Sequence, residues 1–143
     1  MACHGKYLLS QKCSAEYASR ICDIVECHSW YLQQLCYFIW SYTAEEVDEA
    51  SFDRGLRQTL NINTPMFQND TENLSLSQIE MLRAISNGET KLSSEDVKRR
   101  YSLGNPNTIT KNKLALVRRD ILDNYKGVLT FVDPLYRLWL KGV

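Results

Sequence analysis

The amino-acid sequence predicts a mainly α chain: a small helical bundle followed by a winged helix-turn-helix with a short β-hairpin wing. Three features predict it. Apolar residues recur at helical spacing through most of the 143 residues. Helix-start signals, a Ser or Thr followed three residues later by Gln or Glu, precede two of these runs. After residue 122 the helical period gives way to a short alternating stretch around Lys126-Gly127, as a hairpin requires.

The first helix is expected from Ser14, an N-cap residue type, with Tyr17, Ala18, Ile21 and Val25 as its apolar repeat. "SWYLQQLCYFIW", residues 29–40, follows. Leu32, Leu35, Cys36 and Ile39 form one stripe, widened almost all round by Trp30, Tyr31, Phe38 and Trp40, which predicts a helix at the centre of a bundle. Thr43-Ala44-Glu45-Glu46 has capping-box spacing and predicts a third helix through Val47, Ala50, Leu56 and Leu60. "NINTPMFQNDTEN", residues 61–73, is rich in Asn and Thr, carries a proline and reads as the connection between two units. The expected division is residues 1–68, the bundle with its connecting segment, and residues 69–143, the winged helix.

The second unit starts with another capping-box spacing, Ser75 to Gln78, and Leu76, Ile79, Leu82 and Ile85 carry the helix to Gly88. The next helix is expected from Ser93 to Tyr101, with Leu92 and Val97 as a hydrophobic staple. "SLGN" is a tight turn. Asn105 is then positioned to cap, and Pro106 to occupy the first turn, of a helix burying Ile109, Leu114, Val117 and Ile121. After the hairpin, Asp133-Pro134 restarts a helix lined by Leu135, Leu138 and Trp139.

Charge divides the chain. Residues 1–90 hold 6 Lys/Arg against 12 Asp/Glu, a balance of −6, and residues 91–143 hold 11 against 5, a balance of +6. A polyanionic partner would therefore meet the C-terminal half. In a helix-turn-helix, residues near the N-terminus of the second helix reach base edges in the major groove. Here those are Asn107, Thr108 and Lys111, with Lys113, Arg118 and Arg119 closer to the backbone and Lys126 at the wing tip placed for a phosphate. Lys98, Arg99 and Arg100 on the preceding helix add positive field, whereas Asp120 and Asp123 are close enough to draw Arg118 and Arg119 into local pairs.

Other chemistry finds little support. The five cysteines (Cys3, Cys13, Cys22, Cys27, Cys36) include no C-x2-C pair and predict buried, reduced thiols on helices rather than a metal site. His4 lies near the terminus. His28 adjoins Cys27, but neighbouring side chains on a helix start do not converge as a nucleophile and base must. Glu45, Glu46, Asp48 and Glu49 suit a helix N-terminus without any acid-base duty. No catalytic residue and no metal ligand is assigned. No apolar run reaches the ~18 residues of a membrane span, and "MACHGKY" lacks a signal peptide's apolar stretch. The expectation is a soluble, cytoplasmic chain with no membrane partner.

Two segments carry a family resemblance. "LSLSQIEMLRAISNGE", "LSSEDVKRRYSLGNPNTITKNKLALVRRDIL" and "LTFVDPLYRLWL" together resemble the C-terminal winged helix of archaeal-type P-loop ATPases of the AAA+/STAND kind, and "FVDPLYRLWL" is the most telling part. Upstream, "CHSWYLQQLCYFIW" is similar to the lid-helix segment of the same ATPases, so the resemblance covers nearly the whole chain. It implies a region that follows a nucleotide-binding core, with ATP and magnesium belonging to the full-length relatives and no cofactor to this chain. There is no G-x-x-x-x-G-K-[ST] to cradle phosphates, and hence no ATP hydrolysis is expected of it. In the relatives a Pro-containing step of the lid lies near the nucleotide base. His28 and Ser29 occupy that step here, with Ser29 in place of the proline and read as an N-cap.

Two functions follow. The chain is the non-catalytic C-terminal portion of a P-loop ATPase, whose winged helix contacts double-stranded DNA or a protein partner and whose missing ATPase core is itself a partner. Alternatively, it is a stand-alone winged-helix DNA-binding transcriptional regulator with an N-terminal helical dimerisation domain. Exposed apolar surface on residues 29–42 would favour the first, because a lid loses its packing partner when the core is absent.

Overall fold

The computed structural model describes residues 11–142, so that Cys3 and His4 lie outside the described residues. The elements are α1 (Ala15–Ile24), α2 (Ser29–Tyr42), α3 (Glu49–Glu72), α4 (Leu76–Ser86), α5 (Glu95–Tyr101), α6 (Pro106–Arg118), β1 (Leu122–Tyr125), β2 (Val128–Phe131) and α7 (Pro134–Lys141). Helices with one antiparallel hairpin near the C-terminus make the fold mainly α, in the order of a winged helix. The chain divides into two compact units, Met1–Asn63 and Thr64–Val143.

In the first unit, α1 opens at Ser14, whose hydroxyl accepts the Tyr17 amide at 3.3 Å. α1 and α2 pack together through Ile21 and Val25 on one side and Tyr31, Leu35 and Ile39 on the other. The expectation that α2 would be covered all round fails: Trp30 is 62% and Tyr37 68% exposed, because only one stripe of the helix finds a neighbour. Ser29 is the first helical residue and His28 holds the N-cap position without a side-chain cap bond, one residue earlier than expected.

The capping box read at Thr43 also fails. Thr43 ends α2, and its hydroxyl donates to the Ile39 carbonyl at 2.7 Å. Residues 45–47 instead run extended beside Lys12, bound by Lys12 N–H to the Glu45 carbonyl and Val47 N–H to the Lys12 carbonyl. The working box lies five residues later. Asp48 accepts the Ser51 amide at 2.8 Å, and the Ser51 hydroxyl accepts the Asp48 amide at 3.0 Å.

Residues 61–72 are not a connection but the continuation of α3. Proline inside a helix removes one backbone bond and typically costs about 3 kcal/mol. Burial outweighs it here, since Leu60 before Pro65 is buried in the first unit and Phe67 after it is buried in the second. Asn63 adds side-chain bonds on the approach, to the Thr59 carbonyl at 2.8 Å and to Gln34 Oε1 at 2.6 Å.

Arg20 grips Glu49 through two hydrogen bonds, at 2.7 and 2.9 Å, and its guanidinium lies 4.2 Å from the Phe52 ring centre. These bonds hold the Glu49 carboxyl below the ordinary glutamate range. A depressed carboxyl contributes stability in full above its unfolded value, and that contribution disappears as pH falls through the folded one. Urea midpoints of wild type and Glu49→Gln are therefore expected to differ at neutral pH and to converge on acidification. A constant gap across the whole acid range would mean the pair adds nothing.

In the second unit α4 is central, packing against α5, α6 and α7 with Met81, Leu82, Ala84 and Ile85 buried. Its start has the reciprocal bonds of the predicted box: Ser75 Oγ accepts the Gln78 amide and Gln78 Oε1 accepts the Ser75 amide. α5 begins one residue later than read, capped by Ser94, and Leu92 and Val97 are both buried. The hairpin pairs Leu122 with Phe131 and Tyr125 with Val128. Lys126 and Gly127 both have positive φ, 50° and 83°, the primed turn whose twist matches its strands. α7 then starts at Asp133, which accepts the amides of Leu135 and Tyr136.

Candidate nucleic-acid interface

α6 is set by its N-terminal end. Asn105 Oδ1 accepts the Thr108 amide at 2.9 Å, and Pro106 fills the first turn, where no amide is needed. The buried face is Ile109, Asn112 and Leu116, not the predicted Ile109, Leu114, Val117 and Ile121. Val117 and Ile121 are only half-buried, and Leu114 is 54% exposed. The buried face is turned because Asn112, a polar residue that periodicity counts as outward, is only 8% exposed and donates to Ser77 Oγ at 3.1 Å. That bond satisfies a buried amide that would otherwise cost about 1–3 kcal/mol.

With Asn112 inward, the opposite face carries Asn107, Lys111, Leu114 and Arg118, spaced i, i+4, i+7 and i+11 and all exposed. α6 holds three cations and no acid. None of the ion pairs among the described residues involves Lys111 or Arg118, and the anticipated pairing with Asp120 and Asp123 does not form. By contrast Lys98, Arg99 and Arg100 of α5 are neutralised by Glu95, Asp96 and Glu89. The positive field expected from α5 is compensated at source.

The remaining candidates are dispersed. The Thr108 hydroxyl donates to Asn105 Oδ1 at 3.2 Å, so this half-buried side chain serves the turn. Lys113 is half-buried and faces the wing, beside Gly127 and Val128 in a small pocket that also holds Glu89. Lys126 is exposed at the hairpin tip with its ammonium 5.1 Å from the Tyr125 ring centre. Arg119 leaves the helix to donate to the Asn73 carbonyl at 2.9 Å. It borders a cleft of about 470 Å³ with Asp70, Asp120 and Asp133, whose charge disfavours a phosphate there.

The other predicted positions lie in the first unit. His28 and Ser29 are exposed at the start of α2, and the His28 ring stands 4.8 Å from that of Tyr31. The thiols are not buried as expected: Cys13, Cys27 and Cys36 are exposed and Cys22 is half-buried. Among the described residues no group of three His, Cys, Asp or Glu side chains is arranged to hold a metal ion, and no helix is long and apolar enough to cross a membrane.

The family model described as Probable winged helix domain matches residues 65–142, more than half of the chain and the stretch from the end of α3 through α7. The chain belongs to this winged helix family. Comparison with curated proteins and with solved structures finds no match. Within the winged helix, α6 occupies the position of the second helix of the helix-turn-helix and β1–β2 that of the wing.

Proposed function

We propose that this winged helix binds double-stranded DNA by placing the outward face of α6 in the major groove. The observation that carries the reading is the stripe of Asn107, Lys111, Leu114 and Arg118, exposed and without an ion-pairing acid, on a helix of the right position in the fold. The side-chain chemistry fits: an amide matches an adenine edge, Lys and Arg match guanine or phosphate, and an exposed aliphatic group tolerates a thymine methyl. Lys126 reaches a flanking phosphate from the wing.

The test is a fluorescence-anisotropy titration of the chain into labelled duplex DNA at low and at physiological salt, with a Lys111→Glu, Arg118→Glu double variant alongside. Wild-type affinity is expected to fall steeply with salt. The variant is expected to lose binding at low salt, since each charge reversal removes a contact to the polyanion and adds repulsion in its place. No wild-type binding even at low salt would sink this reading.

A second reading rests on α2. Trp30 and Tyr37 stand out of the first unit, as the lid of an ATPase would leave them without its core. On that reading the chain is the non-catalytic tail of a P-loop ATPase. ATP and magnesium belong to the core, His28 and Ser29 face it, and the winged helix docks a protein. Absence of DNA binding in the titration would move the reading here.

A further inference from the structure

The C-terminal end of α1 holds two cysteines in register. Cys27 N–H donates to the Cys22 carbonyl at 2.9 Å, and Glu26 N–H donates to the Asp23 carbonyl at 3.2 Å. Those two bonds, with Glu26 at φ 49°, are a Schellman end. In this motif a contact between the residue just past the helix and one on its last turn is frequent, usually between apolar side chains. Here both side chains are thiols. The backbone is pinned from the far side as well, because His28 N–H donates to the carbonyl of the fully buried Val25 at 2.8 Å. The path from one α-carbon through the 2.9 Å bond to the other limits their separation to about 6.8 Å, inside the span of roughly 4.4–6.8 Å that a disulfide needs.

The two thiols differ in access. Cys27 is exposed and Cys22 half-buried. Burial pushes the Cys22 thiol up, and Cys27 adds to this by charge and by a side-chain hydrogen bond. An accessible attacking thiol beside a more protected one is the arrangement of an entry and a resolving cysteine.

We propose that Cys22 and Cys27 are a modification site, a dithiol that closes reversibly to a disulfide by exchange with a small-molecule disulfide such as oxidised glutathione. The Cys27 thiolate attacks one sulfur of the oxidant and expels one glutathione thiolate, leaving glutathione linked to Cys27. The Cys22 thiolate then attacks the Cys27 sulfur and expels the second glutathione. Two protein thiols are oxidised, one disulfide is reduced, and the two protons pass to the departing thiolates. Cys13 and Cys36 are exposed too, but no backbone hydrogen bond joins either to another cysteine among the described residues.

The experiment equilibrates the full chain in reduced and oxidised glutathione mixtures of rising oxidising strength. Free thiols are then alkylated, the chain is cleaved at Asp23 and Glu26, and the linked peptides are identified by mass spectrometry. The expected result is a Cys22–Cys27 bridge while Cys13 and Cys36 still alkylate, and a Cys22→Ser variant that stalls with one glutathione on Cys27. A first bridge from Cys36 or Cys13, no bridge at any mixture, or a Cys22→Ser variant that leaves Cys27 unmodified would overturn the proposal. If Cys22→Ser fails to fold, the wild-type peptide map decides alone.

Discussion

Phe67→Ala is expected to destabilise the winged helix unit by about 3–5 kcal/mol, the range for removing a fully buried aromatic ring. Phe67 has no exposed surface, and its ring centre lies 5.4 Å from that of Tyr136 and 5.8 Å from that of Trp139. Those two rings stack on each other at 5.9 Å and are tethered at their polar edges. The Tyr136 hydroxyl meets Thr71 Oγ1 at 2.8 Å, and Trp139 Nε1 donates to Thr64 Oγ1 at 3.1 Å. A wall held in place by hydrogen bonds cannot collapse into the space left by the ring, which places the cost toward the upper part of the range. Phe67→Leu keeps most of the volume and should recover much of the loss. Hydrogen exchange of α4 amides as a function of urea would measure both. A loss below about 1 kcal/mol would mean that the residues after Pro65 do not form part of this core.

That cluster also shows why α3 was illegible beyond Leu60. "NINTPMFQNDTEN" has the composition of a loop, and what makes it helix is Phe67 meeting Tyr136 and Trp139, about seventy residues away. Local signals were reliable where they act locally. Ser14, Ser75 and Asn105 each cap the helix read from them, and the Lys126-Gly127 turn joins two strands. They misled where two segments offer the same spacing. Thr43-Ala44-Glu45-Glu46 and Asp48 with Ser51 are both plausible starts, and pairing of residues 45–47 with Lys12 selects the second. At the candidate interface Asn107, Lys111 and Arg118 were legible from charge and helix position. The rotation of α6 was not, because it turns on Asn112 finding Ser77 on another helix. The same contact turns Leu114 outward into the stripe.

Gly55→Ala is expected to lower the stability of the first unit, against the usual sign of that substitution. In a helix interior, alanine in place of glycine gains about 1 kcal/mol through backbone entropy, and Gly55 lies well inside α3. A methyl built there meets Ile39 at 2.5 Å from Cγ1, 2.7 Å from the backbone nitrogen and 2.8 Å from the α-carbon. A side-chain tip can rotate away, but the backbone of α2 can yield only by moving the helix. Ile39 and its neighbour on the same stripe, Leu35, are fully buried, and Leu56 and Phe52 flank Gly55 on the other side of the contact, so that shift disturbs the packed interior of this unit. Overpacking of this kind costs typically about 1–3 kcal/mol and more where backbone must move, enough to exceed the entropic gain. Gly55→Ala combined with Ile39→Val leaves the backbone contacts in place and should recover only part of the loss. A melting temperature equal to or above wild type for Gly55→Ala alone would show that α2 and α3 can separate by a few tenths of an ångström without cost, and that glycine is not needed for their approach.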